Sequence, residues 1–312
     1  MKLVVQIPCL NEAETLPRTV ADLPTEIPGI TAIVVLVIDD GSDDDTAGVA
    51  ESLGVDRVLR LPRTVGLARA FAAGLEEALA LGADVIVNTD GDNQYRGEDL
   101  FALVAPVVDG RADVVVGDRQ VGSIAHFSPV KRLLQRMGSQ VVRWASGTAV
   151  PDAASGFRAF SRAAAGRIVV FSDFSYTIET LIQAGRSGMT VVSVPVGTNP
   201  PTRPSRLFRS TPEYVLRQAA IILRVYARYR PLATFLTAAA PCLVLGGALG
   251  VRFVWFHLTL DDAGHTQSLI LAAVLVIAGL LLAAAGLLAD LLGTNRRLLE
   301  EILSRQRGSS GE

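Results

Sequence analysis

The sequence predicts an α/β fold with a mostly parallel sheet, followed by an amphipathic interface helix and two transmembrane helices. Two observations support this prediction. Short β-branched runs alternate with helical stretches over roughly the first 200 residues, and two long uncharged apolar segments lie near the C-terminus. The 312-residue chain is also 50% hydrophobic and only 19% charged, which is more apolar than an ordinary soluble protein. We therefore expect a folded α/β domain that is attached to a membrane.

The spacing of apolar residues predicts the individual elements of the α/β domain. Runs rich in valine and isoleucine predict buried strands, and apolar residues at helical spacing predict helices between them. The predicted strands are Leu3–Ile7, Ile33–Ile38, Val85–Asn88, Val114–Val116 and Val191–Val194, with Pro8 interrupting the first. The predicted helices are Glu12–Leu23, Asp44–Leu53, Gly66–Leu81 and Glu98–Val108, and the acidic run at 43–45 is expected to cap the second of them.

Beyond Pro200 the composition becomes that of a membrane-associated region. Arginines interleave with apolar residues in Tyr214–Tyr229, which predicts a basic amphipathic helix on an anionic membrane surface. Two uncharged segments follow, each roughly 20 residues long and so able to cross about 30 Å of hydrocarbon. These segments are Leu232–Val251 and Ser268–Ala289. Two buried helices of a soluble core are the alternative, which is less favoured because such helices rarely run so long without a charge.

The arginines that flank the two apolar segments predict their orientation. Arginines are frequent before the first segment and after the second, whereas residues 257–267 between them contain none. Because positive residues stay on the cytoplasmic side, we expect both the α/β domain and the C-terminal tail to be cytoplasmic. The predicted domains are residues 1–205 (cytoplasmic α/β domain), 206–231 (juxtamembrane helix), 232–292 (two spans, with an outside loop at 257–267) and 293–312 (cytoplasmic tail).

Charge and cysteine content exclude several classes of protein. The formal net charge of -2 argues against a general nucleic-acid binder, which needs a clear excess of lysine and arginine. The two cysteines, Cys9 and Cys242, are far apart and lack the spacing of metal ligands. A disulfide framework and a zinc site are therefore not expected, in agreement with a reducing, cytoplasmic domain.

A pair of aspartates after the predicted strand Val85–Asn88 indicates a metal site. Ligands of open α/β sheets bind at the carboxyl ends of the strands, where Asp90 and Asp92 can both face one hard cation and Gln94 adds a neutral oxygen. Mg²⁺ or Mn²⁺ would complete its coordination with a substrate diphosphate and water. An EF-hand loop is excluded because Tyr95 stands where that loop requires glycine. An acidic surface turn is the alternative for this motif alone.

Polar residues also follow the first two predicted strands. Asp39 and Asp40 end the second strand, where an aspartate can accept hydrogen bonds from a base N–H or from ribose hydroxyls. Gly41 permits a close turn after them. Asn11 and Glu12 follow the first strand at the neighbouring position. Each motif alone is equally consistent with a capped turn, and their joint placement favours a nucleotide site.

These three motifs, in this order and spacing, resemble those of family 2 glycosyltransferases of GT-A fold. The apolar C-terminal region narrows the resemblance to the dolichol-phosphate mannose synthase and polyprenyl-phosphate glycosyltransferase group. The resemblance implies an inverting transfer of a sugar from a UDP- or GDP-linked donor to a polyprenyl phosphate at the cytoplasmic face of a membrane. It assigns nucleotide binding to Pro8, Asn11, Glu12, Asp39, Asp40 and Asp90, and metal binding to Asp90, Asp92 and Gln94.

Two further segments match motifs of the same family. Gly117-Asp118-Arg119 resembles a family Gly-Ser-Arg, and the segment from Asp152 to Arg158 also matches. By this resemblance Arg119 binds the nucleotide, and Arg119 and Arg158 could both hold phosphates. Asp152 lies near the acceptor, either as a general base or as a positioning residue that orients Arg158 or a metal-bound water. We expect the positioning role, because a phosphate monoester is largely dianionic at neutral pH and hardly needs a base. The predicted catalytic residues are thus Asp92, Asp152 and Arg158.

One loop departs from the pattern of this group. The family's Arg-x-x-Gly-x-Ser-Lys loop corresponds to residues 202–206, in which proline precedes serine and arginine replaces lysine. Arg206 can still grip a phosphate in a bidentate manner. The acceptor-binding residues implied by the resemblance are Arg203, Ser205 and Arg206.

Three alternative functions remain at this point. The same chemistry could serve a diacylglycerol, protein or polysaccharide acceptor. A non-catalytic membrane scaffold that binds nucleotide-sugars is a second alternative, disfavoured by the intact Asp90 and Asp92 pair. A Rossmann dehydrogenase is the least favoured, because Gly-x-Gly-x-x-Gly does not follow the first strand. The expected partners are the donor, the lipid phosphate and the membrane, and a homo-oligomer remains open.

Overall fold

The chain is seen in a computed structural model that describes residues 1–120, 129–170, 176–200, 230–260 and 266–309. Two compact units are present: Met1–Gln218 together with Leu303–Glu312, and Ala219–Ile302. The predicted amphipathic helix Tyr214–Tyr229 lies outside the described residues, as do Arg203, Ser205 and Arg206.

The first unit contains a seven-stranded sheet that is parallel except at one strand. Its strands are β1 (Lys2–Cys9), β2 (Ala32–Asp39), β3 (Arg57–Arg60), β4 (Val85–Asn88), β5 (Val114–Asp118), β6 (Arg158–Ser161) and β7 (Val191–Pro195). Their order is β3-β2-β1-β4-β6-β5-β7, and β6 runs antiparallel to both of its neighbours. All five predicted strands are confirmed. The sequence reading missed β3 and β6, which have only four residues each and begin with arginine.

Helices surround this sheet. They are α1 (Leu16–Ala21), α2 (Thr46–Ser52), α3 (Leu67–Ala80), α4 (Leu100–Val108), α5 (Pro129–Ser146), α6 (Arg162–Arg167) and α7 (Tyr176–Arg186). The four predicted helices are confirmed, but α1 and α2 begin later than expected because polar residues at their starts form turns. In α2, for example, Asp44 accepts a hydrogen bond from the backbone N–H of Thr46 at 3.0 Å. α4 begins later because a 3₁₀ helix, Gly97–Asp99, precedes it.

The sheet is buried on both faces in its centre. Leu3, Val4, Val5 and Ile7 of β1 are all 0% exposed, which explains why this strand is apolar apart from Lys2 and Gln6. The expectation that Pro8 interrupts the strand is wrong, since β1 continues to Cys9. Proline is tolerated there because β1 pairs with β4 only as far as Gln6, so that Pro8 has β2 as its single neighbour.

The second unit contains two long apolar helices, α8 (Pro231–Leu260) and most of α9 (Thr266–Ser309). Their segments Pro231–Thr259 and Thr266–Asn295 have mean hydropathies of 1.9 and 2.8 and are long and apolar enough to cross a membrane. Only 11% and 17% of the most apolar 18-residue stretches are buried, in contrast to the mostly buried core helices of a soluble domain. The loop predicted at 257–267 is partly helical, because α8 runs through His257 to Leu260 and α9 begins at Thr266.

Small residues allow α8 and α9 to pack closely. A Cβ atom at Gly246 would lie 3.0 Å from the carbonyl oxygen of Ala272, and one at Gly279 would lie 2.6 Å from Cγ of Leu243. Side chains larger than hydrogen would therefore push the helices apart. Close approach at small residues is a common way for apolar helices to associate within a bilayer.

Candidate active site

The loops that carry the predicted site residues meet at one edge of the sheet. Cys9 and Asp39 are paired at the carboxyl ends of β1 and β2. Asn88 ends β4 and pairs with Arg158, the first residue of the antiparallel strand β6. The loops that follow β1, β2 and β4 and the loop that precedes β6 therefore leave the sheet together, where open α/β sheets bind their ligands.

Asn11 ties the loop after β1 to the loop after β2. Its side-chain oxygen accepts a hydrogen bond from the backbone N–H of Asp43 at 2.8 Å, and its own N–H donates to the hydroxyl of Ser42 at 3.0 Å. Asn11 adopts a φ of 56°, a left-handed conformation that asparagine tolerates better than most residues. The N–H of Glu12 donates to the hydroxyl of Thr46 at 2.9 Å, which adds a second connection.

Asp39 and Asp40 have different roles in this region. Both carboxylate oxygens of Asp40 accept hydrogen bonds from backbone N–H groups, those of Val65 at 2.8 Å and Gly66 at 2.9 Å. Asp40 is 3% exposed and so shapes the loop that leads into α3. Oδ1 of Asp39 accepts a hydrogen bond from Ser42 at 3.0 Å, within the turn that follows β2 itself.

Gly41 satisfies two demands of this turn. Its φ of 68° is a conformation that side chains rarely adopt. A Cβ atom there would also lie 2.5 Å from the carbonyl carbon of Arg63 and 2.6 Å from the nitrogen of Thr64. The predicted close turn after Asp39 and Asp40 is therefore present, and it brings the 63–66 loop against the end of β2.

The loop of Asp90 and Asp92 packs on the end of β1 and on α1. The carbonyl oxygen of Gly91 accepts hydrogen bonds from the hydroxyls of Thr15 and Thr19, both at 3.0 Å. A Cβ atom at Gly91 would lie 2.8 Å from the sulfur of Cys9, so that only glycine fits here. Both aspartates are partly buried, and Oδ1 of Asp92 accepts a hydrogen bond from the N–H of Gln94 at 3.1 Å.

Negative charge accumulates around Asp90. Burial raises the pKa of Asp90 to about 7, with further increases from the charges of Asp92 and Glu12, whereas Arg119 lowers it. Among the described residues, Arg119 therefore does not offset the combined effect of burial and the two neighbouring carboxylates on the pKa of Asp90. A cation placed between these groups would favour the ionised form of Asp90.

The side chains present fit a hard divalent cation. Asp90 and Asp92 offer carboxylate oxygens, and Gln94 lies on the same loop. Burial raises the pKa of the Cys9 thiol well above its usual value, which keeps it protonated and unsuited to bind metal. Within the described residues, no group of three or more His, Cys, Asp or Glu side chains is arranged to hold a metal. A cation bound here would therefore need oxygens from a substrate and from water, as is usual for Mg²⁺.

Arg119 and Asp152 form a bidentate ion pair beside the loop of Asp90. The distances are 2.7 Å from Nε to Oδ2 and 3.0 Å from Nη2 to Oδ1. The side chains are 11% and 1% exposed. Burial alone would lower the pKa of Arg119, but the neighbouring Tyr95, Asp152 and Asp90 raise it above the ordinary value. The partner of Asp152 is thus Arg119, and not Arg158 as the motif suggested.

Arg158 is a structural residue in this fold, which corrects the expectation that it holds a phosphate. It is 0% exposed, and burial lowers its pKa to about 10. Its guanidinium donates hydrogen bonds to the carbonyl oxygens of Ser155, Thr177 and Ala153 at 2.8, 2.6 and 2.8 Å, and to the hydroxyl of Thr180 at 2.9 Å. Arg158 therefore joins the loop before β6 to α7.

A buried polar network behind Asp90 was not predicted. Asn88 donates hydrogen bonds to the carbonyl oxygen of Gly156 and to the hydroxyl of Tyr176, both at 3.0 Å, and it accepts one from Gln6 at 2.9 Å. The ring of Tyr176 stacks on Phe71 with centroids 4.1 Å apart. Gln6 and Asn88 are polar residues within otherwise apolar strands, a signal that was visible in the sequence. Tyr176 carries no comparable signal.

Comparison with known proteins agrees with this geometry. The family model "Glycosyl transferase family 2" matches residues 4–169. The polyprenol monophosphomannose synthase of Mycolicibacterium smegmatis is 31% identical over 206 residues, which cover 62% of this chain and 76% of that protein. The undecaprenyl-phosphate mannosyltransferase of Micrococcus luteus is 29% identical and covers 63% and 83% of the two chains. Glycosyltransferase AglJ of Haloferax volcanii is 29% identical and covers 91% of both.

Solved structures confirm the GT-A fold. Glucosyl-3-phosphoglycerate synthase from Mycobacterium tuberculosis, in complex with Mn²⁺, uridine diphosphate and phosphoglyceric acid, superposes with a TM-score of 0.57. The sequence identity is 21%, and the match covers 72% of this chain and 78% of that one. At this identity the similarity concerns the fold. Together with the family match over more than half of the sequence, it shows that this chain is a member of glycosyl transferase family 2.

Proposed function

We propose that this chain transfers a sugar from a nucleoside-diphosphate sugar to a polyprenyl phosphate at the cytoplasmic face of a membrane, with inversion at the anomeric carbon. The observation that carries the proposal is the position of the Arg119–Asp152 pair beside the loop of Asp90 and Asp92. The reaction joins two phosphate-bearing substrates. The fixed guanidinium of Arg119 can bind the acceptor phosphate, and the carboxylates of the loop can bind the donor diphosphate through a cation.

A lipid phosphate is the acceptor that agrees best with the rest of the chain. Relatives are named as synthases or transferases that act on polyprenol, undecaprenyl phosphate and dolichyl phosphate. The same chain carries two helices able to cross a membrane, which would bring the enzyme to such a lipid. Arg203, Ser205 and Arg206 lie just before the membrane region in the sequence, and we assign them to the grip on the acceptor phosphate.

The loops after β1 and β2 form the donor side of the proposed site. Asn11 and Asp40 fix the backbone of these loops, and Asp39 and Glu12 line their buried ends. Several structural neighbours contain uridine diphosphate or its glucose conjugate. We propose a UDP- or GDP-linked sugar as the donor, with the diphosphate directed towards Asp90 and Asp92.

The proposed reaction is a single displacement. An oxygen of the acceptor phosphate attacks the anomeric carbon, and the bond from that carbon to the donor diphosphate breaks as the diphosphate leaves with its electron pair. Arg119 is suited to hold a phosphate in line, because Asp152 fixes the plane of its guanidinium. Mg²⁺ or Mn²⁺, held by Asp90, Asp92 and Gln94, would neutralise the charge that develops on the leaving diphosphate.

The geometry also favours a positioning role for Asp152. Both of its carboxylate oxygens already bind Arg119, which directs the carboxylate towards the guanidinium. A phosphate monoester has its second pKa near ~6 and is an adequate nucleophile without a base at neutral pH. Asp152 therefore acts through Arg119.

The decisive experiment is transfer in membranes that contain the full-length chain. These membranes would be incubated with labelled UDP- and GDP-sugars and a defined polyprenyl phosphate, and the organic-soluble product would be separated. We expect label in a polyprenyl-phosphate sugar, and none with the Asp92→Ala chain. Nucleotide binding without transfer would indicate a scaffold, and label in protein, diacylglycerol or polymer would indicate a different acceptor.

We further propose that the α/β unit and the C-terminal tail both face the cytoplasm. Cysteines introduced at Ser42 and Arg305 in a chain without Cys9 and Cys242 should react with an impermeant thiol reagent only from the cytoplasmic side. A cysteine at Gly264 should react only from the opposite side. Cytoplasmic labelling at position 264 would instead indicate a hairpin that enters and leaves by the same face.

A further inference from the structure

Tyr95 is a buried residue that the proposed reaction does not yet use. It follows Asp92 by three positions on the loop after β4 and is 4% exposed. Its hydroxyl accepts a hydrogen bond from the backbone N–H of Gly156 at 3.0 Å. Its ring stacks on Phe157 with centroids 4.9 Å apart and an interplanar angle of 18°. Tyr95 thus connects the loop of Asp90 and Asp92 to the loop before β6, through its hydroxyl and through its ring.

Gly156 is tightly packed between the side chains of Tyr95, Tyr176 and Asp90. Its carbonyl oxygen accepts a hydrogen bond from Asn88 at 3.0 Å, so that both polar groups of this residue are held. A Cβ atom here would lie 2.8 Å from the hydroxyl of Tyr176 and 3.0 Å from Oδ1 of Asp90. Gly156 therefore packs directly against the side chains of Tyr176 and Asp90.

The same loop carries the partner of Arg119. The N–H of Ser155 donates to the carbonyl oxygen of Asp152 at 3.3 Å, which makes a short turn between Asp152 and Gly156. The carboxylate of Asp152 then fixes Arg119 at 2.7 and 3.0 Å. A continuous series of short contacts thus leads from Tyr95 to the guanidinium of Arg119.

The aspartate loop itself is anchored on its other side. The side chain of Asn199 donates to the carbonyl oxygen of Asn93 at 3.0 Å, and its backbone N–H donates to that of Gln94 at 2.9 Å. Asn199 thus holds one side of the loop, and Tyr95 connects its other side to Gly156. A displacement of Asp90 and Asp92 would therefore reach Gly156 through Tyr95.

We propose that Tyr95 is a positioning residue that couples the loop of Asp90 and Asp92 to the Arg119–Asp152 pair, so that occupation of the donor side orients the arginine for the acceptor. The coupling rests on the proposed function in two respects, the binding of metal and nucleotide at Asp90 and Asp92 and the role of Arg119 towards a phosphate acceptor. The contact between the two loops stands independently of that acceptor.

Tyr95→Phe tests the coupling because it removes the hydroxyl and keeps the ring on Phe157. Tyr176→Phe is the matched control. It deletes an equally buried hydroxyl that binds the side chain of Asn88 rather than the backbone of the loop. Amide hydrogen exchange of residues 152–157 would be measured in the full-length chain, with and without Mn²⁺ and UDP or GDP.

In the unaltered chain and in Tyr176→Phe, we expect metal and nucleotide to slow exchange in residues 152–157. In Tyr95→Phe this response should be lost, although nucleotide still binds. In Tyr95→Phe, the KM for polyprenyl phosphate should rise about tenfold, with kcat changed by less than about threefold. The reason is that Gly156 loses a hydrogen bond, so that the Arg119–Asp152 pair, which we propose binds the acceptor, is held less firmly.

Two results would overturn the proposal. One is the same slowing of exchange in Tyr95→Phe as in the unaltered chain. The other is an equal loss in Tyr176→Phe, which would indicate a general weakening of the loop. Failure of the unaltered chain to use any polyprenyl phosphate would instead refute the proposed acceptor, while the exchange comparison, which needs only metal and nucleotide, would still decide the role of Tyr95.

Discussion

The two sides of the candidate site use their polar residues differently. On the donor side, the polar groups of Asn11 and Asp40 bind backbone N–H groups and thereby shape loops. In the centre, Asp152 binds a guanidinium, and Asp90 lies among other carboxylates. The polar groups of the donor side thus bind protein backbone, whereas among the described residues Arg119 does not offset the burial and the neighbouring carboxylates that raise the pKa of Asp90. We therefore propose that a cation binds in the centre rather than on the donor side.

The largest expected effect concerns that cation. Asp92→Ala removes one carboxylate from a loop outside the core, so the fold should persist. Transfer should fall on the order of 10³-fold or more, because a catalytic metal contributes several kcal/mol. Turnover with labelled donor, together with the melting temperature, would measure both. EDTA should reproduce the loss in the unaltered chain, and added Mn²⁺ should reverse it. Full activity in chelator would contradict the metal assignment.

Arg158→Met tests whether Arg158 stabilises the fold next to the aspartate loop. The substitution leaves carbonyl oxygens of Ser155, Thr177 and Ala153 without the donor they have now. The free energy of unfolding of the α/β unit should fall by about 3 kcal/mol or more, as is typical when a buried hydrogen-bond network is broken. Thermal unfolding of the full chain in detergent would measure the loss. A variant with unchanged stability and no activity would instead show that Arg158 contacts a substrate.

The pH dependence of metal binding follows from the raised pKa of Asp90. The pKa is about 7 in the folded state against an ordinary value of 3.8, so the metal-free fold retains a proton that the unfolded chain releases. This group therefore stabilises the metal-free fold most at low pH, and the contribution is lost as the pH rises towards 7.

Metal must displace the same proton. The affinity for Mn²⁺ should therefore increase about tenfold per pH unit below about 7 and level off above it. Titration calorimetry between pH 5.5 and 8.5, with Asp90→Asn as the control, would measure this. An affinity that does not change with pH in the unaltered chain would show that Asp90 is already ionised without metal.

The smallest expected effect is that of Asp152→Asn. Asparagine keeps an oxygen for Arg119 but removes basicity, so turnover should fall by no more than about tenfold, with most activity retained at higher pH where the acceptor phosphate is fully ionised. A general base would instead cost on the order of 10²–10⁴-fold at every pH. Rates measured from pH 6 to 9 with saturating donor distinguish the two roles.

Local patterns in the sequence were sufficient to predict most of the fold. Strands such as β1 and β4 are buried on both faces and are mostly apolar, with Gln6 and Asn88 as polar exceptions. The short strand β6 was missed because it begins with Arg158, whose charge argues against a buried strand unless its hydrogen-bond partners are known. Those partners lie on the preceding loop and on α7, so no local pattern could reveal them.

The sequence by itself determined the fold class, the two apolar segments and the loops that carry Asp39 and Asp90, because each depends on residues close together in the chain. The tertiary structure decided which charges meet. Asp152 pairs with Arg119, 33 positions away, and Tyr95 binds Gly156, 61 positions away. Such pairings depend on the antiparallel insertion of β6 between β4 and β5, a choice of strand order that is set by the packing of the whole sheet.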